Sequence, residues 1–211
     1  MSSLALVTAP AGEPLTLVRV RSHLRLDATG SPATHPDDDD LNAFITAARE
    51  RVEGRNGYLR RALVSQIWDY KLDDFPSARG SIRIPLPPLI SVGSISYVDS
   101  DGVSQTLAAS VYDVDTAPAP GEIHLAWNQT WPSARNQKNA VTVRFTAGYA
   151  VTNSPVSDYG ENVPKPILQA MLLMIGDWYN NREETVVGSI TSQIPMGVKA
   201  LLSPYRIYGG F

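Results

Sequence analysis

The stretch that decides the fold is VPKPILQAMLLMIGDWYNNR at residues 163–182. Pro164 and Pro166 can open a helix but not lie inside one, and from Ile167 the apolar residues Ile167, Ala170, Met171, Met174, Ile175 and Trp178 recur at helical spacing. This predicts one long buried helix. Leu168, Leu172, Leu173 and Tyr179 widen the apolar surface beyond one stripe, so more than one neighbour must cover it. Those neighbours are other core elements of the chain or, over part of the surface, a second protein.

On the N-terminal side, residues 1–13 read as an extended, weakly ordered lead. Pro14 and Thr16 then open LTLVRVRSHLRLD, where Leu17, Val20 and His23/Leu24 suit a short amphipathic helix. A Gly-, Pro- and Asp-rich loop follows. Its DDDD run at 37–40 stands where carboxylates cap free amides and favour the positive end of the next helix; adjacent aspartates without spaced partners make a poor metal cage. That second helix, about 40–55, places Leu41, Phe44, Ile45, Ala48 and Val52 on one face, with Asn56-Gly57 as its stop. Residues 58–63 extend it as a further short turn. Arg51, Arg55, Arg60 and Arg61 form the most basic neighbourhood, either a solvated face or a contact with DNA phosphates.

At Ser65 the period changes to two. Trp68, Tyr70 and Leu72 alternate with Asp69, Lys71 and Asp73, as a half-buried strand requires. Ile82 and Ile84 make another strand, stopped by Pro85, Pro87 and Pro88; Ile90, Val92, Ile95 and Tyr97 follow, with Gly93 where a bulge would shift the register. Residues 99–102, DSDG, make a turn that opens like a calcium loop but lacks the later glutamate. Further strands fall at 104–107, 111–114, 123–127 and 141–145. Many short strands at regular spacing describe an antiparallel sandwich or small barrel over 65–149, flanked on both sides by helices. Beyond 182 the pattern is weak until Pro195, which admits a short helix at 196–202 ended by Ser203-Pro204. The last rings, Tyr205, Tyr208 and Phe211, are too few to bury themselves. They fold back on the chain or anchor on another.

The 211 residues suffice for one ordinary domain or two small ones. The absence of cysteine excludes a disulfide framework, a thiolate metal site and a cysteine nucleophile. A net charge of -3 argues against a chain that coats nucleic acid. With no basic, apolar leader and no apolar run long enough for a bilayer, the sequence reads as soluble, not secreted and without a membrane partner. His23, His35 and His124 show no metal-binding spacing, and no nucleophile elbow, phosphate loop or dinucleotide fingerprint occurs. Asp158, Glu161, Glu183 and Glu184 flank the long helix without a histidine companion and read as solvated charge. No catalytic residue, metal or cofactor is expected.

Taken in order, HLRLD at 23–27, DDLNAFITAARERVEGRNGYLRRALVSQIWDY at 39–70, IRIPLPPLISVGSISYVDSDG at 82–102, VYDVD, PGEIHL, AVTVRFTAGYA at 140–150, VPKPILQAMLLMIGDWYNNRE and LLSPYR at 201–206 resemble the head-tail connector, or adaptor, family of long-tailed bacteriophages and gene transfer agents. The resemblance spans nearly the whole chain and rests on the order and spacing of packing and turn motifs.

It implies an α+β fold: a helical body of three to four helices, an inserted antiparallel β sandwich or small barrel, and an extended C-terminal arm. The parts would be 1–64, 65–149, 150–194 and 195–211. It implies a structural virion protein of the neck, not an enzyme, present in the host cytoplasm during assembly. Twelve copies would form a ring that binds the portal protein above and a head-completion, stopper or tail-terminator protein below. Double-stranded DNA would pass through without sequence-specific binding. Portal contacts would fall on Pro204, Tyr205, Arg206, Ile207, Tyr208 and Phe211, and contacts between subunits on Trp178, Tyr179, Arg182, Arg51 and Arg55. The alternatives are another tail-completion or neck protein, or a β-rich binding module. The acidic approach at 37–40 and the patternless run at 183–193 depart from the family pattern.

Overall fold

A computed structural model of the chain describes residues 2–77, 80–152, 158–181 and 195–208. The chain divides into two compact units, a helical one from 12–64 and 151–207 and a β one from 1–11 and 65–150 with Tyr208.

The helical unit contains α1 (Leu17–Leu24), α2 (Asp38–Val52), α3 (Lys165–Asn180) and α4 (Met196–Leu202). Thr16 caps α1 by accepting the Arg19 amide, and Arg25 ends it in the left-handed conformation. The expected long helix is α3. Pro164 is its N-cap, and Ile167, Leu168, Ala170, Met171, Leu172, Met174 and Ile175 are buried against α1, α2 and α4. At roughly 1.5–3 kcal/mol for each large apolar side chain taken from water, this helix is the apolar centre of the unit. Leu173 is the member of the widened surface left exposed.

Three local expectations need correction. The second helix stops at Val52, not at Asn56-Gly57: the Glu53 side chain turns inward to meet Arg49 and the Leu63 amide, and Gly54 takes the left-handed turn. Residues 58–63 make no helical turn but an irregular stretch that buries Leu59, Ala62 and Leu63. In the acidic run, Asp37 caps no amide with its side chain.

The β unit contains β1 (Ser3–Thr8), β2 (Gln66–Leu72), β3 (Ile82–Arg83), β4 (Leu89–Val98), β5 (Ser104–Thr106), β6 (Tyr112–Asp115), β7 (Glu122–Leu125) and β8 (Val141–Ala147). They form a five-stranded sheet in the order β1-β2-β8-β4-β5 and a three-stranded sheet in the order β3-β7-β6, antiparallel throughout. No closed barrel is present among the described residues. Central β8 shows full period-two burial, with Val141, Val143, Phe145 and Ala147 inside and Arg144 exposed between them. The register of β4 shifts between Val92 and Ser94, so Gly93 sits at a bulge as its sequence position implied. Gly121 marks where the two sheets meet, because a Cβ there would lie 2.7 Å from the Leu89 side chain. The lead expected to be weakly ordered is largely β1, whose residues Ser3–Leu6 pair with Trp68–Lys71 of β2.

Candidate functional site

The C-terminal segment begins with α4, which buries Val198 and Leu202, and continues through a 3-10 turn at Ser203–Tyr205. The turn is fastened to the irregular stretch after α2. Arg61 Nε donates to the Tyr205 carbonyl, the Ile207 amide donates to the Leu59 carbonyl at 3.0 Å, and the Arg206 guanidinium lies 4.7 Å from the centre of the Tyr58 ring. This overturns the extended arm. The irregular stretch offers a free carbonyl and a cation at matching positions, so Tyr205, Arg206 and Ile207 fold back on their own unit. It also gives Arg61 of the basic neighbourhood a structural role. Pro204 is exposed and Tyr208 is 72% exposed, while Phe211 lies outside the described residues.

Among the residues expected at subunit contacts, Trp178 and Tyr179 are engaged within the unit. Trp178 is half-buried with its ring centroid 6.2 Å from that of Phe44, and the Tyr179 hydroxyl donates to Asp37 Oδ2 at 2.6 Å. Arg51 and Arg55 are exposed at and beyond the end of α2, and Arg182 is outside the described residues. The structure therefore draws Pro204, Tyr205, Arg206 and Ile207 together with the 58–61 stretch.

Electrostatic links are strongest in the helical unit. Arg49 bridges Glu13 at 2.8 Å and buried Glu53. Burial disfavours the Arg49 cation, yet hydrogen bonds to Glu53 and Glu13 outweigh it and raise its pKa above the ordinary value. Asp38 accepts both Arg21 and the His35 amide; the Arg21 bonds, opposed by desolvation and helped by the His35 amide, hold its carboxyl below the ordinary range. The Asp99 turn is closed by its own side chain, which accepts Gln105 Nε2 and the Val103 and Asp101 amides.

Among the described residues no nucleophile, base and orienting group come together. Two open grooves lie on the β unit, one of about 550 Å³ lined by residues 124–130 and one of about 470 Å³ lined by 74–77 and 130–134. Neither gathers a nucleophile, a base and a group to orient it. His23, His35 and His124 stand in α1, a loop and β7, and no cluster of metal-ligating side chains occurs among the described residues. No described helix is long and apolar enough to cross a membrane.

One exposed aromatic departs from the expectation. Trp127 falls in the strand expected at 123–127, but β7 ends at Leu125 and the ring projects, 91% exposed, from a turn. That turn is fixed by the Ala126 amide on the Val111 carbonyl, the Gln129 amide on the Ala126 carbonyl, and Asn128 at φ 59°. Asn128, a residue tolerant of the left-handed region, was the available signal.

No family model and no curated protein matches the sequence. Solved structures do. A chain in the neck of an empty gene transfer agent particle, computed with C6 symmetry, is 24% identical with a TM-score of 0.74. A chain in the virion of a native gene transfer agent particle is 24% identical at 0.72, and one in a native neck computed with C12 symmetry is 21% identical at 0.64. Each alignment covers 99% of this chain and 97% of the other. The chain therefore has, over its whole length, the fold of a gene transfer agent neck chain.

Proposed function

We propose that this chain is a structural component of a virion neck, an adaptor that assembles as a ring between a DNA-filled head and its tail. The observation that carries this reading is the extent of the fold match, which takes in both units and leaves almost no residue of either chain unaligned. The chemistry agrees: the described surface offers exposed anchors such as Trp127 and Tyr208 and no assembled reactive group. A ring closes through unlike faces of adjacent copies. That contact is assigned to Trp178, Tyr179, Arg51, Arg55 and Arg182. The net charge of -3 suits a channel through which DNA slides without being held.

The portal contact is assigned to the C-terminal turn, in altered form. With Tyr205 to Ile207 already fastened to the 58–61 stretch, docking costs little ordering of these residues, and Pro204, Tyr208 and Phe211 act as the anchors. Mixing the purified chain with portal rings and imaging them should show added ring density. Replacing both Tyr208 and Phe211 by alanine should abolish co-sedimentation with portal while leaving the melting temperature unchanged. Portal rings that gain no density from the wild-type chain would refute the reading.

A further inference from the structure

The irregular stretch after α2 is held by backbone bonds: the Gly54 amide donates to the Arg61 carbonyl at 2.7 Å, Leu59 to Val52 at 2.9 Å, Tyr58 to Arg51 at 3.1 Å and Gly57 to Gly54 at 3.3 Å. The last of these is the longest, so the Gly57 amide is the least committed. Position 57 nevertheless admits only glycine, because a Cβ there would lie 1.8 Å from the Glu53 carbonyl oxygen. The residue before it is Asn56, exposed, outside any helix or strand, and with no hydrogen bond to its side chain among the described residues. No other asparagine in the sequence precedes a glycine.

We propose that Asn56 is a site of spontaneous covalent modification, deamidation through a cyclic imide, and that the change loosens the seat of the C-terminal turn. Hydroxide takes the Gly57 amide proton, the nitrogen attacks Asn56 Cγ, and the Cγ–Nδ2 bond breaks as ammonia leaves with a proton from water. Water then opens the imide ring at either carbonyl, giving aspartate or, with the backbone rerouted through the side chain, isoaspartate. The net reaction consumes water and releases ammonia, and needs no oxidant or catalyst. Glycine speeds the closure, since no Cβ shields its nitrogen and its backbone turns freely into the ring geometry. The packing that fixes glycine at 57 thus builds the lability in. Either product puts a carboxylate beside exposed Arg55, and isoaspartate also adds a backbone carbon just ahead of Tyr58 and Leu59. Those two residues seat the C-terminal turn: the Leu59 carbonyl accepts the Ile207 amide, and the Tyr58 ring lies 4.7 Å from the Arg206 guanidinium. The change belongs to the free chain and does not rest on the neck reading.

The full-length chain, aged in warm, mildly alkaline buffer, carries the test. Peptide mapping by mass spectrometry should show conversion at Asn56 several-fold faster than at Asn128 and Asn136, which are also exposed but precede Gln129 and Gln137. Enzymatic methylation specific for isoaspartate should label the same peptide. In the aged chain the Ile207 amide should exchange with solvent several-fold faster than in the fresh chain, while aged Asn56→Gln should keep the fresh rate. Conversion at Asn56 no faster than at the other two asparagines would overturn the site, and conversion with unchanged exchange at Ile207 would overturn its effect on the C-terminal turn. If Asn56→Gln fails to fold, fresh and aged wild-type chains still decide both points. Portal rings that gain no density would bear on the neck reading alone.

Discussion

Each unit contains an arginine–aspartate pair of nearly the same geometry. In the helical unit Arg21 Nε meets Asp38 Oδ1 at 2.7 Å and its terminal nitrogen meets Oδ2; in the β unit Arg144 meets both oxygens of Asp69 at 2.8 Å. Their surroundings differ. The Arg21 side chain is 9% exposed and also donates to the Ala33 carbonyl at 3.1 Å, so the pair ties down the loop between α1 and α2, which has little apolar material to hold it. The Arg144 side chain is 51% exposed, and its partner stands directly opposite on β2, in a register the ladder and the buried residues of β8 already fix. The lesson is that a bidentate pair shapes a fold where water is excluded and where nothing else sets the geometry.

The largest effect that can sharpen this contrast lies at Arg49. Its replacement by leucine takes the cation from the buried Glu53 carboxylate and should lower unfolding free energy by about 3 kcal/mol. Urea denaturation should show this as a shifted midpoint at constant slope. An unchanged midpoint would mean that the helical unit does not lean on its buried ion pairs. Arg21→Leu comes next, with a smaller shift and faster amide exchange across residues 25–37.

Acid separates the contributions further. The Asp38 pKa is depressed in the folded state, so its stabilisation is fully present above the unfolded value near 3.9 and is lost as pH falls through the lower folded value. The wild-type chain should therefore lose stability on acidification below about pH 4, and Asp38→Asn, already weaker at neutral pH, should lose less in that interval. Thermal melts from neutral to acid pH check both signs.

How far these features could be read in advance depended on how local their causes are. The closing helix was legible to the residue, because Pro195 and Ser203-Pro204 bracket Met196–Leu202 and nothing distant moves those limits. The bulge at Gly93 was legible for the same reason. β1 was not: SLALVT shows no clean alternation, and what makes it a strand is β2, some sixty residues away. The return of the C-terminus was hidden in the same way, since the Arg61 bond to Tyr205 spans 144 positions and neither end announces the other. Asp38 looked like a helix-capping residue because the capping signal is local, whereas the cation that claims it sits on α1. Candidate contact residues thus emerged by type, and their engagement inside the chain did not.

The smallest expected effect is the most direct test of the contrast. Arg144→Leu removes a bidentate pair as complete as that of Arg21, yet its cation is half exposed and the register stays fixed by Val143 and Phe145 on either side. In moderate salt its urea midpoint should lie close to wild type, because an ion pair with a water-exposed cation gains little net energy and salt weakens it further. At low salt a slight loss should emerge, and salt should erase it. If Arg144→Leu instead destabilises the chain as much as Arg21→Leu in moderate salt, exposure is not what separates the two pairs, and the β sheet depends on its surface charges as the helical unit depends on its buried ones.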